Sequence, residues 1–155
     1  ELLVGLDTDD RERRWWRHIL AHQSDNHAAF VAEASGYGVI GFASGGLARD
    51  RQIEYDGEVY TLYVLDEHHG FGLGKRLFTT LAAQLVEAHG SSLIVWVLQG
   101  NPARFFYEAL GGKRVAHRHA TMGGAPMEEI GFAWDDARSL VAIGRPDQDG
   151  SIGRA

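Results

Sequence analysis

The chain contains no cysteine among its 155 residues. That excludes a disulfide framework and a thiolate nucleophile, and it fits a reducing cytosol. Long apolar runs are missing as well. None approaches the roughly 20 residues needed to span a bilayer, so no membrane partner is expected. No signal-peptide pattern opens the chain. It begins at Glu1 without a Met, which raises the expectation of numbering that starts inside a longer protein. Together these absences give the expectation of a cytoplasmic protein. An excess of basic charge is also lacking. The formal net charge is -6, which argues against a nucleic-acid partner, since such proteins carry a basic face. A negative field weakly favours a cationic small substrate.

What is present suits a folded unit. Hydrophobic residues make up 45% of the chain, and the length allows one domain with a substantial core. That domain is expected over residues 1–144, with a flexible polar tail over 145–155. No internal repeat, linker or second domain is evident. Trp15, Trp16, Ile19 and Leu20 recur at helical spacing after Asp9-Asp10 and predict a helix over 9–22. "HAAFVAEA" (27–34), "VIGFASGGLAR" (39–49) and "IEYDGEVYTLYVL" (53–65) read as strands, the first two separated by the turn "SGYG" and the third broken near Asp56-Gly57. Leu73, Leu77, Leu81 and Leu85 recur every four residues and predict a helix over 73–89, ended by Gly90. "SLIVWVL" (92–98) is a continuous apolar run, as in a strand buried on both faces. "NPARFFYEALGG" is a short helix, with Asn101 as cap, Pro102 in first position and Gly111-Gly112 closing it. The segments 113–121 and 127–135 read as an antiparallel pair. Strand 59–65, helix 73–89 and strand 92–98 form a βαβ crossover, so those two strands are expected to be parallel. The fold class is therefore α+β (mixed α/β), mostly antiparallel with one parallel crossover.

The densest signal is "HHGFGLGKRLF" (68–78), where Gly70, Gly72 and Gly74 alternate between an apolar strand and a helix. A P-loop needs four residues between its first Gly and Gly-Lys, then Ser or Thr. Three residues separate Gly70 from Gly74 here, and Arg76 follows Lys75. A dinucleotide fingerprint needs G-x-G-x-x-G, which this spacing also fails. Two readings stand. In one, successive backbone amides wrap a pyrophosphate and the helix N-terminus adds its partial positive charge. In the other, the stretch is a plain glycine-rich turn.

Two side chains bear on that choice. On the helix after Asn101, the residues Pro102, Phe105, Phe106, Ala109 and Leu110 define an apolar stripe, and Tyr107 lies well off its centre. Tyr107 is then either a half-buried edge residue or a ring held with its hydroxyl pointing elsewhere. Glu58 shares strand parity with Tyr60, Leu62 and Val64. It sits either at an exposed strand end or along a cleft.

The stretches "LYVLDEHHGFGLGKRLF" and "NPARFFYEALGG" together resemble the acyl-coenzyme A site of the GNAT superfamily of N-acetyltransferases, over roughly residues 9 to 136. The family's loop pattern is Arg or Gln, two residues, Gly, one residue, then Gly or Ala. His69, Gly72 and Gly74 fall on it, with His69 in place of the usual Arg or Gln. The resemblance implies acetyl-coenzyme A as co-substrate. It implies a pyrophosphate held by the loop His69, Gly70, Phe71, Gly72, Leu73, Gly74 and Lys75, with Asn101 also on the cofactor side. The pantetheine arm would bond main-chain groups around Leu62 to Val64 like an added strand. The family's usual first strand and first helix are not found, which implies a chain cut there or an acceptor side built differently.

The resemblance also explains residue types. An acceptor ammonium has a pKa of about 10 and must lose a proton before it attacks a thioester. Glu58 is the candidate base, directly or through water. Tyr107 is the candidate donor to the leaving thiolate, and a main-chain amide near Val64 is the candidate oxyanion donor. The expected function is acetyl transfer from acetyl-coenzyme A to a small primary amine in a ternary complex. Alternatives are a protein acetyltransferase acting on a lysine or an N-terminus, and a non-catalytic acyl-coenzyme A sensor of the same fold. A homodimer stays open. No metal is expected. His117 and His119 share a strand face without an evident third ligand, and the adjacent His68 and His69 point apart. Trp15 and Trp16 are expected to pack a helix on the sheet, with the sequence "RERR" as its solvated face.

Overall fold

The computed structural model describes residues 2–5, 18–23, 26–34, 36–66, 69–70 and 72–140, the first two segments through their backbone alone. Among these, eight strands form one sheet: β1 (Leu2–Gly5), β2 (His18–Gln23), β3 (His27–Ala34), β4 (Gly38–Leu47), β5 (Gly57–Val64), β6 (Leu93–Leu98), β7 (Lys113–Met122) and β8 (Ala125–Trp134). Their spatial order is β1-β2-β3-β4-β5-β6-β8-β7. All neighbours are antiparallel except β5 and β6, the parallel pair expected of the crossover. Two helices complete the described elements, α1 (Leu73–His89) and α2 (Ala103–Ala109). The β7–β8 hairpin closes through Gly123-Gly124, both with positive φ, as a twist-compatible two-residue turn requires.

Helix α1 crosses one face of the sheet. Leu73, Leu77, Phe78, Leu81 and Leu85 are buried along its inner side. They meet Phe30, Ile40, Ala43 and Val59 from the sheet, and Val95, Val97, Phe132 and Trp134 from its other half. Ala137 and Leu140 join this core from beyond β8. Gly90 ends the helix, with its N–H bonded to the Val86 carbonyl. Strand β6 is apolar throughout; on its reverse face Ile94 is buried, and Trp96 and Leu98 are half-buried.

The helix expected over 9–22 does not match the described part of that segment, because residues 18–22 lie in strand β2. Ile19 and Leu20 fit either period when read alone. Pairing decides the matter: β2 lies antiparallel to β3 from His18↔Glu33 to Gln23↔Ala28. Residues 9–17, with Trp15 and Trp16, and the tail expected over 145–155 lie outside the described residues. Strand β1, at the sheet edge, was not anticipated.

A second difference positions the site. The irregularity expected near Asp56-Gly57 sits further along β5. Ser44 pairs with Thr61 and Gly45 with Val59, so Tyr60 is an extra, bulged residue. A bulge reverses which side chains face the core. A Cβ on Gly41 or Gly45 of β4 would strike Leu77 or Leu85, so those positions face α1. On β5, Val59 faces α1 before the bulge, and Leu62 and Val64 do so after it. Thr61 and Tyr63 turn to the far face, where the Thr61 hydroxyl meets the Ser44 hydroxyl at 2.6 Å and the Tyr63 ring packs on Phe42. Glu58, paired with Gly46, is on that far face also. The shared parity expected for Glu58, Leu62 and Val64 is thus broken by one residue.

Candidate active site

Strands β5 and β6 pair only from Gly57↔Leu93 to Val59↔Val95. Beyond that point β6 stays with β8, which it accompanies to Leu98↔Glu129. The two parallel strands therefore part, and β5 leaves main-chain groups unpaired on the side where β6 departs. A cleft of about 750 Å³ occupies the opening. Leu62, Tyr63 and Val64 form one wall, and Asn101, Pro102, Ala103, Phe106 and Tyr107 form the other. The glycine loop closes the outer end, with Asp66, His69, Gly70, Gly72, Leu73, Gly74 and Lys75.

The loop conformation depends on its glycines. Gly70 and Gly72 have φ of 86° and 76°, the left-handed region that side-chain-bearing residues avoid. Gly72 is also the residue that opens α1, with ψ of 6°. This places the first amides of α1 at the mouth of the cleft. The first turn carries Lys75 and Arg76 and no acidic residue. Cations at a helix N-terminus oppose the helix dipole, a cost that an anion bound at this turn would offset. The His69 ring Nε2 lies 2.7 Å from the Val64 carbonyl.

Helix α2 supplies the other wall. Asn101 acts as the expected cap, its Oδ1 accepting from the Ala103 N–H at 2.9 Å. The stripe differs from the expectation. Phe105 is exposed, and Tyr107 is the buried residue of the helix at 4% exposure. The inner side is Ala103, Phe106, Tyr107 and Leu110, because the rings of Phe78, Phe132 and Trp134 receive Tyr107 at centroid distances of 5.4, 6.4 and 6.4 Å. Burial pushes the Tyr107 phenol up to about 12. The hydroxyl is thus protonated at any neutral pH.

Of the residues expected on the cofactor side, Leu62, Val64, His69, Gly70, Gly72, Leu73, Gly74, Lys75 and Asn101 all border this one cleft, together with Tyr107. Phe71 lies outside the described residues. Glu58 does not border the cleft. It lies on the far face at the point where β5 and β6 part, buried to 2%. Asp66, Pro102, Ala103 and Phe106 border the cleft without having been singled out for it. Only their spacing from the loop and from Tyr107 could have suggested them. Among the described residues no group of three or more His, Asp or Glu side chains is placed to hold a metal ion. His117 and His119 instead flank Glu128, at 3.3 and 3.9 Å. No helix among the described residues is long and apolar enough to cross a membrane.

A sheet whose parallel strands part over a glycine-opened helix is the framework of an acyl-coenzyme A-dependent transferase, and comparison with known proteins agrees. Residues 36–120 match the family described as FR47-like protein. The chain is 39% identical over 143 residues to the uncharacterized N-acetyltransferase YuaI of Bacillus subtilis strain 168, covering 92% of this chain and 79% of that protein. In fold it is similar to NAA60 of Arabidopsis thaliana in complex with a bisubstrate analogue, with a TM-score of 0.59, 18% identity, and coverage of 70% of this chain and 75% of that one. It is also similar to yncA from Salmonella typhimurium with its cofactor acetyl-CoA, with a TM-score of 0.57, 21% identity, and coverage of 71% and 65%. The chain belongs to the GNAT superfamily of N-acetyltransferases, which are acyl-coenzyme A-dependent enzymes.

Proposed function

We propose that the protein moves an acetyl group from acetyl-coenzyme A directly to a small primary amine, with both substrates bound at once. The observation that carries this reading is the single cleft joining the glycine loop at its mouth to the buried Tyr107 on its inner wall. The pyrophosphate lies against the amides of residues 69–75, and the pantetheine arm runs along β5 as an added strand. There it competes with His69 for the Val64 carbonyl. The acetyl end reaches the point where the strands part, next to the Tyr60 bulge. A main-chain amide of β5 between the bulge and Val64 serves as donor to the carbonyl oxygen.

The amine loses a proton to Glu58, directly or through water, and its lone pair attacks the thioester carbon. The C–S bond breaks and the sulfur leaves as thiolate. A phenol with a pKa of about 12 is a weaker acid than a thiol of about 8.5. Full proton transfer from Tyr107 therefore runs uphill. The hydroxyl instead holds the departing thiolate through a charge-assisted hydrogen bond. No cysteine exists in the chain to carry an acyl intermediate, in keeping with direct transfer.

Free thiol release from acetyl-coenzyme A, measured across a panel of small amines and short peptides, tests the reading. Turnover with small amines is expected. Turnover confined to peptides would transfer the function to protein substrates, and tight cofactor binding with no turnover would favour a sensor.

A further inference from the structure

The far face of the sheet carries a second arrangement beside the point where β5 and β6 part. Glu58 is buried, yet its carboxylate accepts hydrogen bonds only from Arg49 among the described residues. The Arg49 main-chain N–H reaches Oε1 at 3.0 Å, and Nε and Nη2 reach Oε2 at 3.2 and 2.7 Å. The same guanidinium lies over the Tyr60 ring, 4.0 Å from its centroid. That ring is held from two sides. Its hydroxyl donates to the Leu47 carbonyl, and the His27 ring packs against it at 5.6 Å. Gly46 leaves room for it, since a Cβ there would come within 2.8 Å of the Tyr60 hydroxyl. A buried carboxylate beside a fixed aromatic face is the composition of a site for an organic cation. The cation now filling it is tethered to a side chain that is itself 62% exposed, so it can swing out into water without unpacking the core.

Position ties this arrangement to the reaction. Glu58 precedes Val59, the last β5 residue paired with β6, and one strand residue spans about 3.3 Å. The carboxylate thus stands on the face opposite α1, beside the point where β5 and β6 part and four residues before Leu62, where β5 begins to border the cleft. We propose that Arg49 is a tethered stand-in for the acceptor: the incoming ammonium displaces the guanidinium from Glu58 and the Tyr60 ring, and only this exchange frees the carboxylate to take the ammonium proton. An N–H bond of the ammonium breaks, an O–H bond forms on Glu58, and the freed lone pair attacks the thioester. The acceptor class is accordingly a cationic amine whose charged head fits between a carboxylate and a ring. This inference rests on the amine-acetylating reading above.

Arg49→Ala, Arg49→Met and Arg49→Gln in the full chain test it. Each leaves Glu58 without its cation, so the melting temperature falls. Methylguanidinium at millimolar concentration is expected to raise it again in these variants. It should have no such effect in the wild type, in Arg49→Lys, or in an Arg49→Met/Glu58→Gln double variant. Absence of rescue in every folded Arg49 variant would overturn the cation site. With an amine that the wild type acetylates, Arg49→Met is expected to lower KM about tenfold, the equivalent of one charge-assisted hydrogen bond no longer opposed. An unchanged or raised KM overturns the displacement and leaves the transferase reading standing. A wild type that releases no thiol with any amine overturns both.

Discussion

Replacing Tyr107 with Phe removes one hydroxyl and keeps the ring that packs on Phe78 and Trp134. Among the described residues the hydroxyl has no hydrogen-bond partner, so the folded protein loses no internal bond. Two magnitudes then follow. The first concerns chemistry. A hydrogen bond to a charged group is worth about 1.5–3 kcal/mol, so losing the one to the departing thiolate slows the step about 10- to 150-fold. A full proton donor would be worth about 10²–10⁴-fold, so a loss well above 10³-fold would show that the proton is transferred after all. Single-turnover rates are the proper measure, because product release can mask the step. The second magnitude needs no substrate. The phenol titrates at about 10 in the unfolded chain and is pushed up to about 12 by burial in the folded one. Its contribution is therefore intact below pH 10 and is lost as pH rises through 12. At pH 11 the wild type has given up about 1.4 kcal/mol that Tyr107→Phe has not. Urea unfolding of both proteins at pH 8 and pH 11 reads this difference. A full-speed Tyr107→Phe enzyme would refute the hydrogen-bond role, and equal alkaline losses would refute the burial that the argument rests on.

Other outcomes are expected from the same geometry. Gly72→Val forces a branched side chain into the left-handed region, so it should destabilise by about 1–2 kcal/mol and weaken coenzyme A binding. Gly74→Val carries no such strain and should weaken binding alone. Isothermal titration of both folded variants checks this, and unchanged affinity in both would remove the loop as the pyrophosphate site. Phe78→Ala empties the centre of the cluster formed by Phe106, Tyr107 and Trp134, and a loss of about 3–5 kcal/mol is expected in denaturant unfolding. Glu58→Gln should lower turnover at neutral pH and lower it less at high pH, where the amine is already neutral. A pH profile parallel to that of wild type would remove Glu58 as the base.

Local pattern was enough for much of this protein. The four-residue leucine repeat set α1 at 73–89, since a helix that must bury one stripe declares it every turn. The glycines at 70, 72 and 74 marked the loop, and at 70 and 72 a positive φ leaves few other choices. Asn101 and Pro102 marked the start of α2. The apolar run of β6 announced burial on both faces, and with it the crossover. Each of these is a signal carried within a few residues. What the tertiary structure decided lies in pairings between distant segments. Residues 18–22 could serve a helix or a strand, and β3 made them a strand. Tyr107 fell off a stripe drawn from α2 alone, but the rings of Phe78, Phe132 and Trp134 rotated the buried side toward it. Glu58 appeared to share a face with Leu62 and Val64 until one extra residue opposite Ser44 and Gly45 turned it to the other side of the sheet. A bulge has no local signature in "GEVYTLYV", because it arises from the register of a partner strand. Arg49 carried no signal either. Its role is set by the carboxylate and the ring that the fold brings beneath it.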